Sequence, residues 1–368
     1  MRVAIVGSGI SGSTLAINLA RRGVKVDLYE MREKPKGICG GGLGFYALDR
    51  IRKMDDEIYE LLLKSTRSYI TSFKVYTRKN TRQGINPGEP ISVDDFESLE
   101  ITGENLRIKR EKLGIIMDRH VLDEEAVRIA TSYGVQYYNK MKVDPHQLKG
   151  YDYVVDARGT DGWGMNENTF LVAYQEYYPT PKERVNVMEI YFDNSIFNMG
   201  YSWFMPRGEE VKVGFGDVID KVKREGLKNY MNYTKLVTKT EDKLLSFEGA
   251  QLPLSGKVAL RKGKVYKVGT SAGFIDPLTG GGIRMGIESA IILSKALLSG
   301  NPYLYYLSKT AYLRGQVLLS RLARDKLVRM SNEEMTRTLL RLREKISGKK
   351  VTDSVYLEVI RLIPQLFL

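Results

Sequence analysis

Residues 2–30 read RVAIVGSGISGSTLAINLARRGVKVDLYE, and their pattern indicates the fold class. Residues 2–6 are a short apolar run typical of a buried parallel strand, and they lead directly into the loop Gly7-Ser8-Gly9-Ile10-Ser11-Gly12. Residues 13–22 then have helical spacing, and residues 24–29 form a second apolar run that ends at Glu30. The order strand, glycine loop, helix and strand predicts a βαβ unit with a parallel sheet.

The glycine loop has the pattern G-x-G-x-x-G in the position that dinucleotide binding requires. Gly7 permits the tight turn, Gly9 lets a pyrophosphate approach the backbone, and Gly12 lets the helix pack against the strand. Ser11 lies inside the loop, at the helix N-terminus that faces the phosphates. Glu30 follows at about the 20-residue interval where a carboxylate takes both hydroxyls of an adenosine ribose. An acid at this position favours NAD or FAD over NADP.

The amino-acid composition argues against several other classes of protein. The chain has 368 residues, 43% of them hydrophobic and 27% charged, which suits one discontinuous domain or two cooperating domains. No apolar run reaches the roughly 18 to 20 residues of a membrane span. The single cysteine, Cys39, excludes an internal disulfide, and two histidines, His120 and His146, leave little for a zinc centre. A net charge of +13 favours anionic partners, but the basic residues are too scattered for a nucleic-acid motif.

A second glycine-rich segment lies near the other end of the chain. Residues 264–268 predict a strand and residues 284–298 a helix, and between them stands Gly269-Thr270-Ser271-Ala272-Gly273-Phe274-Ile275-Asp276-Pro277-Leu278-Thr279-Gly280-Gly281-Gly282-Ile283. A nicotinamide enzyme normally completes its nucleotide fold in one contiguous stretch. Two widely separated cofactor segments therefore favour FAD over NAD.

This late segment resembles that of the flavoprotein group containing the aromatic hydroxylases and the geranylgeranyl reductases, which reads roughly G-D-A-A-G-x-x-x-P-x-x-G-x-G-I. The resemblance implies that Gly269 and Thr270 run along the ribityl chain of the flavin. It also implies that Gly281, Gly282 and Ile283 lie by the flavin pyrimidine. A helix N-terminus at that place stabilises the negative charge of a reduced flavin.

One position departs from that family. Thr270 stands where the family has an aspartate after the first glycine. A hydroxyl still hydrogen-bonds a ribityl chain, but losing a charge-assisted bond costs about 1.5 to 3 kcal/mol. The departure implies weaker flavin binding, unless Ser271 compensates.

The resemblance extends to a glycine loop after the second strand, Pro35-Lys36-Gly37-Ile38-Cys39-Gly40-Gly41-Gly42-Leu43. This loop is similar to the C-G-x-G loop that crosses the flavin ring in the reductases. Glycines permit close approach of backbone to a flat ring. The resemblance implies cofactor contacts from Cys39, Gly40 and Gly42, and from Met31 and Arg32 just before the loop. A small buried thiol in a loop is the alternative for Cys39.

Two further segments fit the same family. Asp118-Arg119-His120-Val121-Leu122-Asp123 is similar to its R-x-x-F-D stretch, which implies that Arg119 reaches the cofactor; a solvated arginine at a helix start is the alternative. Residues 151–156 predict another strand of the nucleotide fold, and Gly159 in the turn after it is expected at the cofactor. That turn lacks the A-D-G-x-x-S form which the hydroxylases use near NADPH, and the sequence has no second G-x-G-x-x-G.

An aromatic stretch, Tyr201-Ser202-Trp203-Phe204-Met205-Pro206-Arg207, precedes Gly214-Phe215-Gly216. It resembles the Y-x-W-x-F-P…G-x-G signature of the geranylgeranyl reductases, which lines the lipid cavity beside the flavin. Period-two spacing places Tyr201 and Trp203 on one face of a strand, with Ser202 and Phe204 on the other. The resemblance implies substrate contacts from Tyr201, Trp203, Met205 and Pro206, of which Met205 replaces the second aromatic. Ordinary core packing is the alternative.

These segments predict an α/β (α+β) architecture of three parts. Residues 1–57, 106–168 and 260–300 form a discontinuous Rossmann-type FAD-binding domain. Residues 58–105 and 169–259 alternate apolar and polar positions and form an antiparallel β-sheet substrate domain. Residues 301–368 form a helical C-terminal cap with basic amphipathic helices at 304–330 and 332–346. Its last residues, 355–368, are apolar enough to cover a substrate tunnel, a second subunit or a membrane surface.

The resemblance predicts an FAD-dependent oxidoreductase that hydrogenates C=C bonds of geranylgeranyl or other prenyl chains, in archaeal membrane lipids or prenyl quinones. Tyr201 and Trp203 then stabilise cationic character in the substrate through their ring faces, and Cys39 acts as a proton donor or a gate. The expected partners are the prenyl lipid, an external electron donor (ferredoxin or NAD(P)H) and a membrane surface, without nucleic acid or metal.

Two alternatives remain open at this point. One is a flavin-dependent monooxygenase or halogenase acting on a hydrophobic substrate, and the other is a non-catalytic lipid or quinone carrier. We expect a cytoplasmic protein, peripheral on the inner membrane surface, because the chain opens in a strand rather than a signal peptide.

Overall fold

The computed structural model describes residues 1–35, 37–79, 95–102, 112–163, 170–241 and 243–347. Up to residue 163 the elements are β1 (Arg2–Val6), α1 (Ile10–Ala20), β2 (Lys25–Tyr29), β3 (Gly42–Gly44), α2 (Phe45–Met54), α3 (Asp56–Lys64), β4 (Thr66–Ile70), β5 (Ser72–Arg78), β6 (Phe96–Thr102), β7 (Gly114–Met117), α4 (Arg119–Ser132), β8 (Gln136–Tyr138) and β9 (Tyr153–Asp156). After it come β10 (Phe170–Pro179), β11 (Val187–Phe192), β12 (Tyr201–Arg207), β13 (Glu210–Val218), α5 (Ile219–Glu225), α6 (Leu227–Thr238), β14 (Ser246–Pro253), β15 (Arg261–Lys262), β16 (Val265–Lys267), α7 (Ile283–Leu297), α8 (Pro302–Lys309), α9 (Ala311–Leu327) and α10 (Asn332–Ser347).

The first sheet has the strand order β15-β16-β9-β1-β2-β8, and its strands run parallel apart from β15. Val3 and Ile5 of β1 pack into the core that includes α1 and α7, while Ala4 and Val6 pack on the other side against a loop around Val143. Both faces of β1 are therefore covered, which explains its uninterrupted apolar sequence. Because β16 comes from the far end of the chain, the predicted discontinuous Rossmann-type fold is confirmed.

The second sheet is larger, with the order β14-β10-β13-β12-β11-β5-β6. Neighbouring strands are antiparallel, as expected, except that β11 pairs with β5 in parallel. One face of this sheet is covered by α5 and α6, where Phe204 and Phe215 share a core with Tyr230. The opposite face packs against a small sheet, β3-β7-β4, through Trp203, Met205 and Ile116 among others. This contact places the strand of the aromatic stretch beside the Cys39 loop, which leads into β3.

The structure corrects the expected local structure at two places. Residues 56–64 form the helix α3, although most of them were assigned to the strand-rich insertion that begins at residue 58. The N-cap of this helix is Asp55, which accepts a hydrogen bond from the Ile58 backbone N–H. The helix predicted over residues 304–330 is divided into α8 and α9 at Thr310. The apolar residues 355–368 lie outside the described part of the chain. No described helix is both long and apolar enough to cross a bilayer.

Candidate functional site

The dinucleotide loop joins β1 to α1, and its three glycines serve different structural purposes. Gly7 has a φ of +107°, and a Cβ there would lie 2.5 Å from the Ala157 carbonyl oxygen. A Cβ at Gly12 would lie 1.9 Å from the carbonyl oxygen of Gly7. A Cβ at Gly9, in contrast, would meet no described atom within 4 Å. Gly7 and Gly12 therefore serve the fold itself, whereas Gly9 leaves space at the N-terminus of α1 for a phosphate group.

Glu30 lies buried at the end of β2, next to this loop. Its carboxylate accepts hydrogen bonds from the Ser8 hydroxyl (2.8 Å), the Ser8 backbone N–H (3.2 Å) and the Arg32 backbone N–H (3.0 Å). The hydroxyl of Tyr137 is also buried here and has no hydrogen-bond partner among the described residues; burial raises its pKa. Glu30 thus shapes the dinucleotide loop, and its contact with a ribose stays a prediction.

The two glycine-rich segments from opposite ends of the chain meet through Ser11. Gly269 has a φ of +62°, and a Cβ there would lie 2.4 Å from Ser11 Oγ. A Cβ at Gly286 in α7 would come equally close, at 2.4 Å from the same oxygen. The Ser11 side chain therefore lies against Gly269 and Gly286, so it brings α1 next to the late segment.

The residue that replaces the family's aspartate lies near the start of α7. The Thr270 hydroxyl is 3.4 Å from where a Cβ at Gly282 would be, and Gly282 is the N-cap residue just before Ile283. The neighbouring Ser271 is fully buried and donates to the carbonyls of Asp156 (2.5 Å) and Val268 (2.8 Å). The expectation that Ser271 compensates is wrong, because its hydroxyl is used inside the fold.

The Cys39 loop reaches β3 with its backbone close to neighbouring elements. Gly41 has a φ of +81°, a Cβ there would lie 2.4 Å from the Met117 carbonyl oxygen, and its N–H donates to the Cys39 sulfur at 3.4 Å. A Cβ at Gly40 would lie 2.6 Å from the Met205 sulfur. Gly42 begins β3 and pairs with β7. The loop is thus held between the small sheet and the aromatic strand, with the single cysteine partly buried.

Arg119, the first residue of α4, lies buried beside this loop. Its Nη2 is 3.0 Å from both carboxylate oxygens of Asp123, and a Cβ at Gly37 would lie 2.4 Å from the same nitrogen. Burial works against its charge, but the Asp123 carboxylate and the Cys39 thiol raise the pKa of Arg119 above its ordinary value. The alternative of a solvated arginine is therefore wrong. Cofactor contact by Arg119 remains a prediction.

The two predicted faces of β12 are confirmed by its register. Trp203 lies opposite Gly214 of β13 and Tyr201 lies opposite Gly216. A Cβ at Gly214 would come 2.7 Å from the indole ring, so the glycine leaves the room that Trp203 fills. Phe204 packs on the opposite face of the sheet.

Pro206 differs from the other residues predicted to contact substrate. Its partner in β13 is Val211, which belongs to the core on the helix-covered face. Strand alternation places Pro206 on that face, away from Trp203 and Met205. Pro206 therefore does not share the face of Trp203 and Met205, and its implied substrate contact stays a prediction.

Sequence reasoning missed a polar group on the site-facing side of the large sheet. Lys212 is 2% exposed, and its Nζ donates to the carbonyl oxygens of Cys39 (2.7 Å) and Gly40 (3.3 Å). Gln175 donates to Glu248 (2.5 Å), and so does the hydroxyl of Tyr177 (2.6 Å). The available signal was a lysine between two valines in a strand that otherwise reads as buried.

Several buried polar atoms around the Cys39 loop have no partner among the described residues. They are Trp203 Nε1, Arg119 Nε and Gln175 Oε1. Two donors and one acceptor of this kind are unfavourable unless a polar ligand or an ordered water satisfies them. Together with the space at Gly9 and the threonine hydroxyl before α7, Arg119 Nε and Gln175 Oε1 fit a flavin dinucleotide extended from the dinucleotide loop to the Cys39 loop.

The remaining predicted cofactor residues lie at the edges of this arrangement. Gly159 has a φ of +66° in the turn after β9, and a Cβ there would meet no described atom within 4 Å. Gly281 lies in the turn before α7, where its N–H donates to the Thr279 hydroxyl at 3.2 Å. Met31 and Arg32 follow β2 and are exposed. Their contacts with a cofactor stay predictions.

Comparison with known proteins gives a consistent result. The sequence profile of the NAD(P)-binding Rossmann-like domain matches residues 5–41. The chloroplastic geranylgeranyl diphosphate reductase of Oryza sativa subsp. japonica is 23% identical over 323 residues, which cover 82% of this chain and 67% of that protein. The digeranylgeranylglycerophospholipid reductase of Methanocaldococcus jannaschii is 31% identical over 231 residues, covering 52% of this chain and 57% of that protein.

Solved structures show the same fold. A geranylgeranyl bacteriochlorophyll reductase-like protein from Thermoplasma acidophilum has a TM-score of 0.74 at 21% identity, over 99% of this chain and 98% of that one. A flavin-dependent brominase has a TM-score of 0.66 at 15% identity, over 99% of this chain and 93% of that one. The chain is thus homologous to geranylgeranyl reductases, which are oxidoreductases, as the sequence predicted, and these similarities support a flavin cofactor.

Proposed function

We propose that this protein uses FAD to reduce isolated C=C bonds in the prenyl chains of isoprenoid lipids or prenyl quinones. One observation carries the proposal: the aromatic strand contacts both flavin-type segments. Met205 packs under Gly40, and the Tyr201 hydroxyl donates to the Thr279 carbonyl at 2.6 Å. The named activities of the homologous reductases favour the same chemistry.

FAD would be held by three parts of the chain. The dinucleotide loop around Gly9 and Ser11 would take the pyrophosphate, with Glu30 at the adenosine ribose. Thr270 and the glycines before α7 would take the ribityl chain and the pyrimidine, where the helix N-terminus favours negative charge. Arg119 and the Cys39 loop would contact the ring. When bound and reduced, FAD supplies the hydride for the reaction.

The chain's own residues would manage the cationic side of this reduction. Saturating an isolated alkene adds one proton and one hydride, and an unconjugated trisubstituted alkene accepts hydride poorly unless a proton first creates positive character at the tertiary carbon. The ring faces of Tyr201 and Trp203 would stabilise that character, and the apolar surface around them would exclude water. The two electrons consumed must be restored by an external donor, ferredoxin or NAD(P)H.

The proton for this step would come from Cys39. The thiol lies beside the buried guanidinium of Arg119, and its coupling to that charge helps to raise the pKa of Arg119.

A second candidate function is favoured by the brominase neighbour, which shares the fold over nearly the whole chain. A monooxygenase or halogenase would use the same flavin site but would insert oxygen or halogen rather than hydrogen. Anaerobic incubation of the reduced protein with a geranylgeranyl lipid, followed by mass spectrometry, tests both. We expect the lipid to gain two hydrogen atoms for each bond reduced. The proposal would be overturned if the lipid stayed unchanged without oxygen and an oxygenated or halogenated product formed when oxygen was present.

The location and the partners are part of the proposal as well. A prenyl lipid resides in a bilayer, and a protein with a net charge of +13 is attracted to anionic lipid surfaces. We place the protein in the cytoplasm, peripheral on the inner membrane surface. Co-sedimentation with vesicles that contain an anionic lipid, compared with neutral vesicles, tests this placement.

A further inference from the structure

Lys212 is a buried cation that the proposed reaction does not use. It lies in β13 between Val211 and Val213, whose side chains belong to the core on the helix-covered face of the sheet. Its own side chain extends to the other face, where Nζ donates to the carbonyls of Cys39 at 2.7 Å and Gly40 at 3.3 Å. In the described part of the chain these two carbonyls are its hydrogen-bond partners.

Burial at this place is unfavourable for an ammonium group. It lowers the pKa of Lys212 to about 8, although the Cys39 thiol and the Glu248 carboxylate act in the opposite direction. The positive charges of Arg207 and Arg119 lower the pKa of Lys212 further. If only the stability of the fold mattered, burying an apolar side chain of similar length here would cost less free energy than burying a lysine. The two carbonyl contacts are therefore what the lysine contributes.

The two carbonyls belong to successive residues, so the contact defines the orientation of a backbone segment. The Cys39 carbonyl also accepts a longer hydrogen bond from Gln175, at 3.4 Å, and Gly40 rests against the Met205 sulfur. Lys212 makes the shorter of the two hydrogen bonds to that carbonyl and carries the charge. From this geometry we propose that Lys212 is the positioning residue of the Cys39 loop: it holds the Cys39 and Gly40 peptides against the sheet and so sets where the thiol lies.

This inference deepens the proposed function, since it concerns the same loop, but its test needs no turnover. Cys39 is the single cysteine of the chain, so the rate of thiol labelling reports on this loop alone. The reagent would be 5,5′-dithiobis(2-nitrobenzoate) at neutral pH, with the melting temperature measured in parallel. The variants are Lys212→Met, which removes the donor, and Lys212→Arg, which keeps a charged one. Lys221→Met is the matched control, because Lys221 is also buried and donates to a backbone carbonyl, that of Ile196, away from the loop.

We expect Lys212→Met to label faster than wild type by roughly tenfold, the ratio that corresponds to one lost hydrogen bond to a charged donor. Lys212→Arg should restore a rate near that of wild type. Lys221→Met should lower the melting temperature and leave the labelling rate unchanged. If Lys212→Met does not fold, Lys212→Gln replaces it with the same expectation, because its side chain is one atom shorter and cannot reach the Cys39 carbonyl.

Equal labelling rates in wild type and in the folded Lys212 variant would overturn the proposal. So would equal acceleration in the Lys221 control, since the lysine would then affect only general stability. Prenyl reduction could still fail in all of these proteins while the labelling pattern holds. In that case the proposed function would be wrong and the positioning role of Lys212 would stand.

Discussion

The Tyr201 hydroxyl donates a hydrogen bond to the Thr279 backbone carbonyl, at 2.6 Å, across 78 residues of sequence. Tyr201 begins the aromatic strand β12, and Thr279 lies in the glycine turn before α7. This bond connects the large sheet with the dinucleotide-binding part of the chain at the predicted flavin ring. We therefore expect Tyr201, and not its neighbour Trp203, to hold the shape of the proposed cofactor site.

Tyr201→Phe and Trp203→Ala should therefore affect different properties. Tyr201→Phe removes a hydrogen bond worth about 1 kcal/mol and should weaken FAD binding by several-fold. Trp203→Ala removes apolar surface and ring-face stabilisation, so it should leave FAD content nearly intact and greatly lower prenyl-chain turnover. Flavin absorbance after purification and single-turnover reoxidation by a prenyl lipid measure the two effects. Wild-type turnover in Trp203→Ala would assign the strand to core packing.

Gly9→Val and Gly12→Ala should separate cofactor binding from folding. Space around Gly9 accommodates a side chain, so Gly9→Val should fold and lose FAD, because the branched side chain blocks the pyrophosphate. A methyl group at Gly12 would collide with the Gly7 carbonyl, so Gly12→Ala should unfold or melt at a much lower temperature. Circular dichroism and flavin content distinguish the outcomes. Full flavin content in Gly9→Val would mean that the pyrophosphate does not lie at this loop.

Thr270→Asp should tighten FAD by up to roughly tenfold, equivalent to about 1.4 kcal/mol. The Thr270 hydroxyl faces Gly282 at the N-terminus of α7, where a carboxylate is electrostatically favourable and keeps hydrogen-bonding contact with a ribityl chain. Equilibrium titration of the FAD-free protein gives the dissociation constants of both forms. Thr270→Val is the control and should bind more weakly than wild type. Weaker binding by the aspartate variant would mean that the local packing has adapted to threonine.

Cys39→Ala should slow flavin reoxidation by the lipid while hardly changing lipid affinity, if the thiol donates the proton. Cys39→Ser keeps the size of the side chain but is a far weaker acid, so it should be slow as well. Stopped-flow reoxidation and lipid binding are the measurements. If both variants react at the wild-type rate and differ only in melting temperature, the thiol is structural.

The low pKa of Lys212 predicts a pH dependence of stability. In the unfolded chain a lysine titrates near pH 10.5, whereas burial lowers the pKa of Lys212 to about 8 in the folded protein. Between these values the unfolded state binds more protons, so the free energy of unfolding should rise with pH from about 8 to 10.5, by about 1 to 3 kcal/mol. The rise should be absent from Lys212→Met. Both proteins should carry Cys39→Ser, which removes the thiol from the comparison. The other charged or titratable groups that face Lys212 are the same in both proteins and cancel; they are Glu248, Arg207, Arg119 and Tyr177.

Local sequence pattern was sufficient wherever the deciding contacts are close along the chain. The apolar run before Gly7 predicts β1 residue for residue, and the glycine spacing predicts the turn into α1. The alternation in β12 predicts that Trp203 and Phe204 lie on opposite faces, because successive side chains of any strand alternate. These features depend on backbone geometry and on neighbours a few residues away.

Which distant groups lie together around the Cys39 loop depends on the packing of the sheets. Lys212 meets the Cys39 carbonyl across 173 residues, and Gln175 reaches it across 136. Ser271 lies in the expected segment, yet its hydroxyl donates to the Asp156 carbonyl. Strand β5 pairs with β11 in parallel, and an alternating pattern by itself does not distinguish parallel from antiparallel pairing. Period and propensity describe one strand at a time, whereas the order of strands in a sheet depends on how whole surfaces are buried together. For that reason the sequence shows Lys212 only as a lysine between two valines, and its contact with the Cys39 loop follows from the packing of the sheets.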